Sequence, residues 1–191
     1  RQPLEDGTIT VARASGSVAL PAKFTLVAAM NPCPCGNYGD GSGRCICEPY
    51  QVLRYRKRIS GPLLDRIDIQ INVPRETIRK AVKPSEDMGG IRQSIETARK
   101  IQAERFAGKP FLTNSEISYK TIDAFCHLEP SAEKLLERAT DTQKMSMRAF
   151  HKIKKLARTI ADLEQSETIE ERHIAEAISL RLQEKMLTEL A

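Results

Sequence analysis

Residues 24–36 read FTLVAAMNPCPCG, and this stretch decides the fold. Phe24 to Ala29 is a continuous apolar run of strand length, the pattern of a strand covered on both faces. It stops at Asn31-Pro32, and residues 31–50 read as a loop rich in Gly, Pro, Asn and Cys. Upstream, Thr8 to Ala12 is β-prone, Ala14-Ser15-Gly16-Ser17 is turn chemistry, and Val18 to Leu20 can return as a second strand. A hairpin is therefore expected, with Arg13 near its tip. Downstream, Tyr50 to Ile59 reads as a short basic helix that Ser60-Gly61-Pro62 breaks, and Leu63 to Arg66 begins another turn. Ile67 to Val73 alternates as a second sheet strand, which Pro74 ends.

After about residue 75 the apolar spacing changes from the period of a strand to that of a helix. Ile91, Ile95, Ala98 and Ile101 predict an amphipathic helix over about 90–106. Pro130 opens the next, which carries Leu135, Leu136 and Ala139. Phe150, Ile153, Leu156, Ala157, Ile160 and Leu163 mark a third. Thr168 with Glu171 fits a capping box for the last, which carries Ile174, Ala177, Ile178, Leu182 and Leu190. The expected class is α/β: residues 1–75 form part of a sheet domain with two sheet strands plus a β-hairpin, and 76–191 form an all-α domain.

The bulk properties bound the function. The chain has 191 residues and is 40% hydrophobic, enough for one or two small domains with a real core. No stretch approaches the roughly 20 apolar residues of a membrane span. No basic-then-apolar leader opens the chain, so a cytoplasmic protein without membrane contact is expected. The first residue is Arg1 rather than Met, which points to a fragment. A net charge of +5 permits contact with nucleic acid without demanding it. With no Trp and 5% aromatic residues, a base-stacking platform is not expected.

Cys33-Pro34-Cys35 and Cys45-Ile46-Cys47 are two close thiol pairs on one Gly-rich loop. Such pairs can wrap a tetrahedral ion, because a divalent cation relieves the repulsion between thiolates. A Cx2C pair is the more usual zinc spacing, so structural zinc stands beside reduced surface thiols and redox pairing. Four thiolates would fill the zinc shell and leave no room for a catalytic water. Cys126 lies alone in apolar helical surroundings and reads as a core residue. His127, His151 and His173 are scattered and read as structural or surface groups.

Four runs carry a further signal: Ala28-Ala29-Met30-Asn31-Pro32-Cys33-Pro34-Cys35-Gly36, Ser60-Gly61-Pro62-Leu63-Leu64-Asp65-Arg66-Ile67-Asp68-Ile69, Ser146-Met147-Arg148, and Leu156-Ala157-Arg158-Thr159-Ile160-Ala161-Asp162-Leu163. In this order they resemble the magnesium-chelatase-like branch of AAA+ ATPases, within it the ComM/YifB competence-protein group. The resemblance covers nearly the whole chain. It implies that the sheet part is the C-terminal portion of an AAA+ P-loop-type core and that the helical part is its lid.

By that resemblance Asn31 is sensor 1, an amide able to donate to a γ-phosphate and accept from the attacking water. Read alone, Asn31 caps a turn before Pro32. Arg66 matches the arginine finger offered to a neighbouring subunit's ATP; read alone, it pairs with Asp65 or Asp68. Arg148 matches sensor 2 and faces nucleotide from the lid, with Arg158 a second candidate nearly on the same helix face. The Thr8–Leu20 hairpin matches the pre-sensor-1 hairpin, where Arg13 can meet a nucleic-acid phosphate. Arg54, Arg56, Lys57 and Arg58 form a basic run that either meets nucleic acid or is a solvated face.

The resemblance further implies ATP and Mg²⁺ as cofactors in the parent protein, a ring hexamer of identical subunits, and DNA as partner. No G-x-x-x-x-G-K-[ST] loop and no apolar strand ending in paired acids occur in the chain, so both are expected upstream of Arg1 and the chain alone is expected to hydrolyse no ATP. Two other functions stay open on the sequence: a magnesium-chelatase-type motor subunit that remodels a partner protein, and a non-catalytic zinc-bound interaction module.

Overall fold

A computed structural model describes residues 2–14, 16–74 and 88–181. The chain divides into two compact units, the first running to Ile67 and the second beginning at Asp68. The domain boundary expected at 75/76 falls outside the described residues.

The first unit opens with helix α1 (Gln2–Asp6), followed by strands β1 (Thr8–Arg13) and β2 (Gly16–Pro21). The strands pair antiparallel from Thr8↔Pro21 to Arg13↔Gly16, which is the expected hairpin with Arg13 in the last pair before the turn. The β-branched residues Thr8, Ile9, Thr10 and Val11 favour this pleat. Gly7 adopts φ 62°, a left-handed turn that only glycine makes without strain. Its N–H donates to the Pro3 carbonyl (3.1 Å), and its own carbonyl accepts from Ala22 N–H (2.7 Å), tying α1 to the base of the hairpin.

The two runs expected as sheet strands behave differently. Residues 24–29 and 67–73 form no β ladder among the described residues, and Val27 and Val73 are 89% and 79% exposed. Apolar periodicity marks a segment that fits a sheet, but ladder partners make it a strand. The helix predicted from Tyr50 is α2 (Pro49–Arg56), opened by Glu48 as N-cap and by proline at the first position, where its missing N–H costs nothing. The short α3 (Gly61–Leu64) follows Ser60.

The second unit is helical. It contains α4 (Met88–Arg105), a 3₁₀ turn at Asn114–Glu116, α5 (Ile122–Phe125), α6 (Pro130–Gln143), α7 (Met147–Leu163) and α8 (Glu171–Ser179). Helix α7 supplies Ile153, Ala157, Ile160 and Ala161 to a buried cluster with Leu136 of α6 and Ile174, Ala177 and Ile178 of α8. Phe106, Phe111 and Phe125 pack edge to face with centroids 4.9–5.7 Å apart, the geometry aromatic quadrupoles favour. Cys126 is buried in the same cluster, and desolvation pushes its thiol up to about 11, which keeps it neutral. The last helix is capped differently from expectation. Glu170 and His173 make the reciprocal capping bonds, whereas Thr168 Oγ1 donates to Glu129 Oε1 (3.2 Å). Leu182 and Leu190, expected on that helix, lie outside the described residues.

One polar cluster runs through this core. The Asp162 carboxylate is 0% exposed and accepts from Arg105 at both oxygens (2.5 and 2.9 Å), Arg158 Nε (3.0 Å), Asn114 Nδ2 (2.7 Å) and Gln102 Nε2 (3.2 Å). Burial by itself pushes this carboxyl up, but the bonds from Arg105 and Asn114 and the Arg158 charge outweigh it and hold it below the usual carboxylate range.

Candidate functional site

The loop after Asn31 brings its four cysteines together. Gly36, Gly39, Gly41 and Gly43 all take positive φ (68–80°), so the chain reverses repeatedly between the two Cys pairs. Asp40 Oδ1 accepts from Ser42 N–H (2.9 Å), and Arg44 pairs with Asp40 (3.5 Å), closing the far end of the loop. The Sγ atoms of Cys33 and Cys35 lie 3.3 Å apart, those of Cys33 and Cys45 3.8 Å, and those of Cys35 and Cys45 3.6 Å. With Cys47 included, the four thiols lie within 4.8 Å of one another, and none is in a disulfide.

These separations fit a single metal ion. With Zn–S bonds of about 2.3 Å, the edge of a tetrahedron of sulfurs is about 3.8 Å. The protonation pattern points the same way. Backbone hydrogen bonds from Asn37 and Ile46, with a thiol bond from Cys33, bring Cys35 down to about 6. Cys47 receives a backbone bond at Cys35 that lowers it, but burial and the neighbouring Cys35 and Cys33 thiols outweigh this and push it up to about 12. Cys45 is raised by the same neighbours, against a backbone bond near Cys47. Cys45 and Cys47 thus resist ionising beside the Cys35 thiolate, and a bound dication would offset that repulsion.

The loop is braced against α2. Arg56 Nε donates to the Pro32 carbonyl (3.2 Å), and its guanidinium stands 5.0 Å from the centre of the Tyr38 ring, a cation–π distance. Val52 is buried behind it. Asn31 immediately precedes Pro32, and its side-chain amide lies near Gly36: a Cβ added there would be 4.0 Å from the amide carbon and nitrogen. Asn31 and Cys33, the first thiol of the cluster, are two positions apart on this loop.

The other predicted residues lie elsewhere. The Arg66 guanidinium pairs with Glu5 of α1 (2.5 Å) and donates to the Pro62 carbonyl, leaving its side chain 11% exposed. Glu5, a carboxylate partner of Arg66, lies sixty-one positions away in the sequence, and Asp68 accepts from Lys152 (2.7 Å). Arg148 is exposed in the first turn of α7, where Ser146 as N-cap accepts from Ala149 N–H (3.1 Å). Arg158 does not face outward with it. It is 1% exposed and donates to Asp162, the Ser166 carbonyl (2.5 Å) and the Glu167 carbonyl (2.7 Å), tying the loop after α7 back onto that helix. The candidate for a second lid arginine is thus a structural residue. Arg13 is exposed beside the hairpin turn. Asn31, Arg66 and Arg13 belong to the first unit and Arg148 to the second.

The four-thiol loop and the helical unit follow one another in the order of the sequence motifs, and sequence comparison gives the class of the chain. The family described as magnesium chelatase, subunit ChlI, matches residues 1–81, and its C-terminal family matches residues 85–181. The chain belongs to this magnesium chelatase family. It is 39% identical over its whole length to competence protein ComM of Haemophilus influenzae and 37% identical to YifB of Escherichia coli, in each case covering 37% of the relative. A Mycobacterium bovis protein, Mb2921c, is 35% identical over 85% of this chain and 32% of its own. The chain thus spans about a third of the length of these relatives. No helix among the described residues is long and apolar enough to cross a membrane.

Proposed function

We propose that the chain is the sensor-and-lid portion of a ComM-like AAA+ motor that hydrolyses ATP with Mg²⁺ and acts on DNA. The observation that carries this reading is the family match in order along the chain, with Asn31 fixed at the turn ahead of the thiol loop and Arg148 presented at the capped start of α7. Mg²⁺-bound ATP supplies the phosphoryl chemistry, and the phosphate-cradling loop is not among these 191 residues. Within the chain, Asn31 offers an amide that donates and accepts without changing charge, so it orients a water beside a terminal phosphate. Arg148 offers a fixed positive charge from the lid, reinforced by the α7 N-terminus.

Arg66 serves the neighbouring subunit. Its guanidinium exchanges Glu5 for phosphate oxygens when a partner presents nucleotide, and this requirement is why a closed ring of identical subunits, a hexamer, is proposed. Zinc at Cys33, Cys35, Cys45 and Cys47 is proposed as a structural ion that fixes the turn holding Asn31. Arg13 at the hairpin tip and the net charge of +5 support DNA as the partner, as does a relative named competence protein. Work on DNA in transformation or recombination places the protein in the cytoplasm.

ATP hydrolysis by the protein at its natural length tests the reading. Asn31→Ala, Arg66→Ala and Arg148→Ala are each expected to lower kcat by tenfold or more, the scale on which positioning and charge-stabilising groups act in phosphoryl transfer. Unchanged rates in all three would remove the sensor and finger assignments. A protein-remodelling motor differs in one respect: its ATPase rate would be indifferent to added DNA.

A further inference from the structure

We propose that the groove between the thiol loop and α2 is a second nucleic-acid contact, one that grips a single strand by stacking bases on Tyr50 and Tyr55 and holding phosphates with Arg54 and Arg58. The inference rests on the DNA reading above and adds to it a site separate from the hairpin tip. The groove encloses about 560 Å³ and is lined by Pro34, Tyr50, Gln51, Arg54, Tyr55 and Arg58. Its wall at Pro34 lies between Cys33 and Cys35, so the metal-binding turn sets its shape.

Three features point to a strand of nucleic acid. Tyr50 and Arg54 lie four residues apart and so share one flank of α2, and Arg58, in the turn that follows the helix, lines the same groove. Arg54 and Arg58 are exposed, and neither guanidinium has an ion pair or hydrogen-bond partner among the described residues, unlike that of Arg56, which is committed to Pro32 and Tyr38. Two unpaired guanidinium groups beside two aromatic rings match an alternation of phosphate and base, since every base has a face to stack and every link a charge to pair. Tyr50 is 65% exposed, an aromatic surface that packing of the unit does not use. The sequence argued against stacking because aromatic residues are few. The few aromatic residues are nonetheless concentrated here: of four tyrosines, Tyr38, Tyr50 and Tyr55 gather around the thiol loop and α2. The chain has no Trp, so intrinsic tyrosine fluorescence reports mainly on this corner.

The test is titration of the zinc-loaded chain with oligo-dT across a salt series, reading both affinity and tyrosine quenching. Tyr50→Ala is expected to weaken binding roughly 5- to 150-fold, the range for one stacked base, and to remove much of the quenching. Arg54→Gln with Arg58→Gln is expected to lower the slope of log K against log salt by about 1.4, two phosphates on a single strand. Circular dichroism melts of these exposed-site variants check that each is folded. A wild-type chain that binds oligo-dT with variants unchanged in affinity, slope and quenching overturns the groove and leaves the DNA reading standing. A wild-type chain that binds no oligonucleotide at all counts against the DNA reading itself, and the groove falls with it. Equal affinity for thymidine monophosphate, or displacement by poly-glutamate as effective as by oligo-dT, would also overturn the assignment to a strand.

Discussion

Removing the Asp162 carboxylate should unfold the helical unit more readily than any other single change in its polar groups. Asp162→Ala leaves the guanidinium of Arg158 buried without its counter-charge and takes from Arg105 both of its carboxylate bonds. Asn114 and Gln102 lose an acceptor at the same time. Breaking a buried ion pair from one side costs about 3–5 kcal/mol, because the remaining charge stays desolvated. For a unit of this size that corresponds to a fall in Tm of roughly 12–20 °C. Far-UV circular dichroism reads it directly, since the signal is dominated by these helices. Asp162→Asn keeps the shape and one acceptor and should fall less. The pH dependence has a definite sign. The folded-state value of Asp162 lies below its ordinary value of 3.8, so its contribution is complete above that value and is lost as pH falls through the folded-state value. Wild-type Tm should therefore drop with acidification in that window, and Asp162→Asn should flatten this part of the curve. A shift in Asp162→Ala of less than about 2 °C would refute the reasoning, because it would mean the arginines find other partners at no cost.

Other outcomes follow from the same geometry. The purified chain should carry one zinc per molecule by elemental analysis, and Cys33→Ser, at the buried ligand, should abolish it. Gly36→Ala should weaken zinc retention during chelator challenge, since φ 80° is strained for alanine. Ser146→Ala should cost about 1 kcal/mol in denaturant melts by removing the α7 cap bond to Ala149.

Much of the helical unit was legible because its apolar residues recur with helical spacing. Ile153, Ala157 and Ile160 are buried where that spacing places them. Helix ends were harder. Helix α7 begins at Met147 because Ser146 caps it, three positions before the first apolar marker. In the last helix the cap chosen by pattern, Thr168, is diverted to Glu129 by a contact that no local rule contains. Long-range polar pairing was invisible altogether. Nothing near Arg66 in the sequence indicates Glu5, and Arg158 looked like a ligand until its carbonyl partners at Ser166 and Glu167 were seen. The four thiols were found by composition, but their fit to a tetrahedron depends on glycine turns whose geometry spacing alone does not fix. The runs 24–29 and 67–73 show the converse limit, apolar patterns that sequence reads as strands and that pair only if neighbours are present.

The most direct test of the central claim is complementation between two inactive proteins of natural length, Asn31→Ala and Arg66→Ala, mixed under assembling conditions and assayed for ATP hydrolysis. Arg66→Ala subunits keep an intact sensor and Asn31→Ala subunits keep an intact finger. A ring in which the finger acts across the interface should therefore recover about a quarter of wild-type activity in an equal mixture, since half the sites are intact and half of those face an intact finger. A mixture no more active than its components, or an Arg66→Ala protein active by itself, would contradict the account.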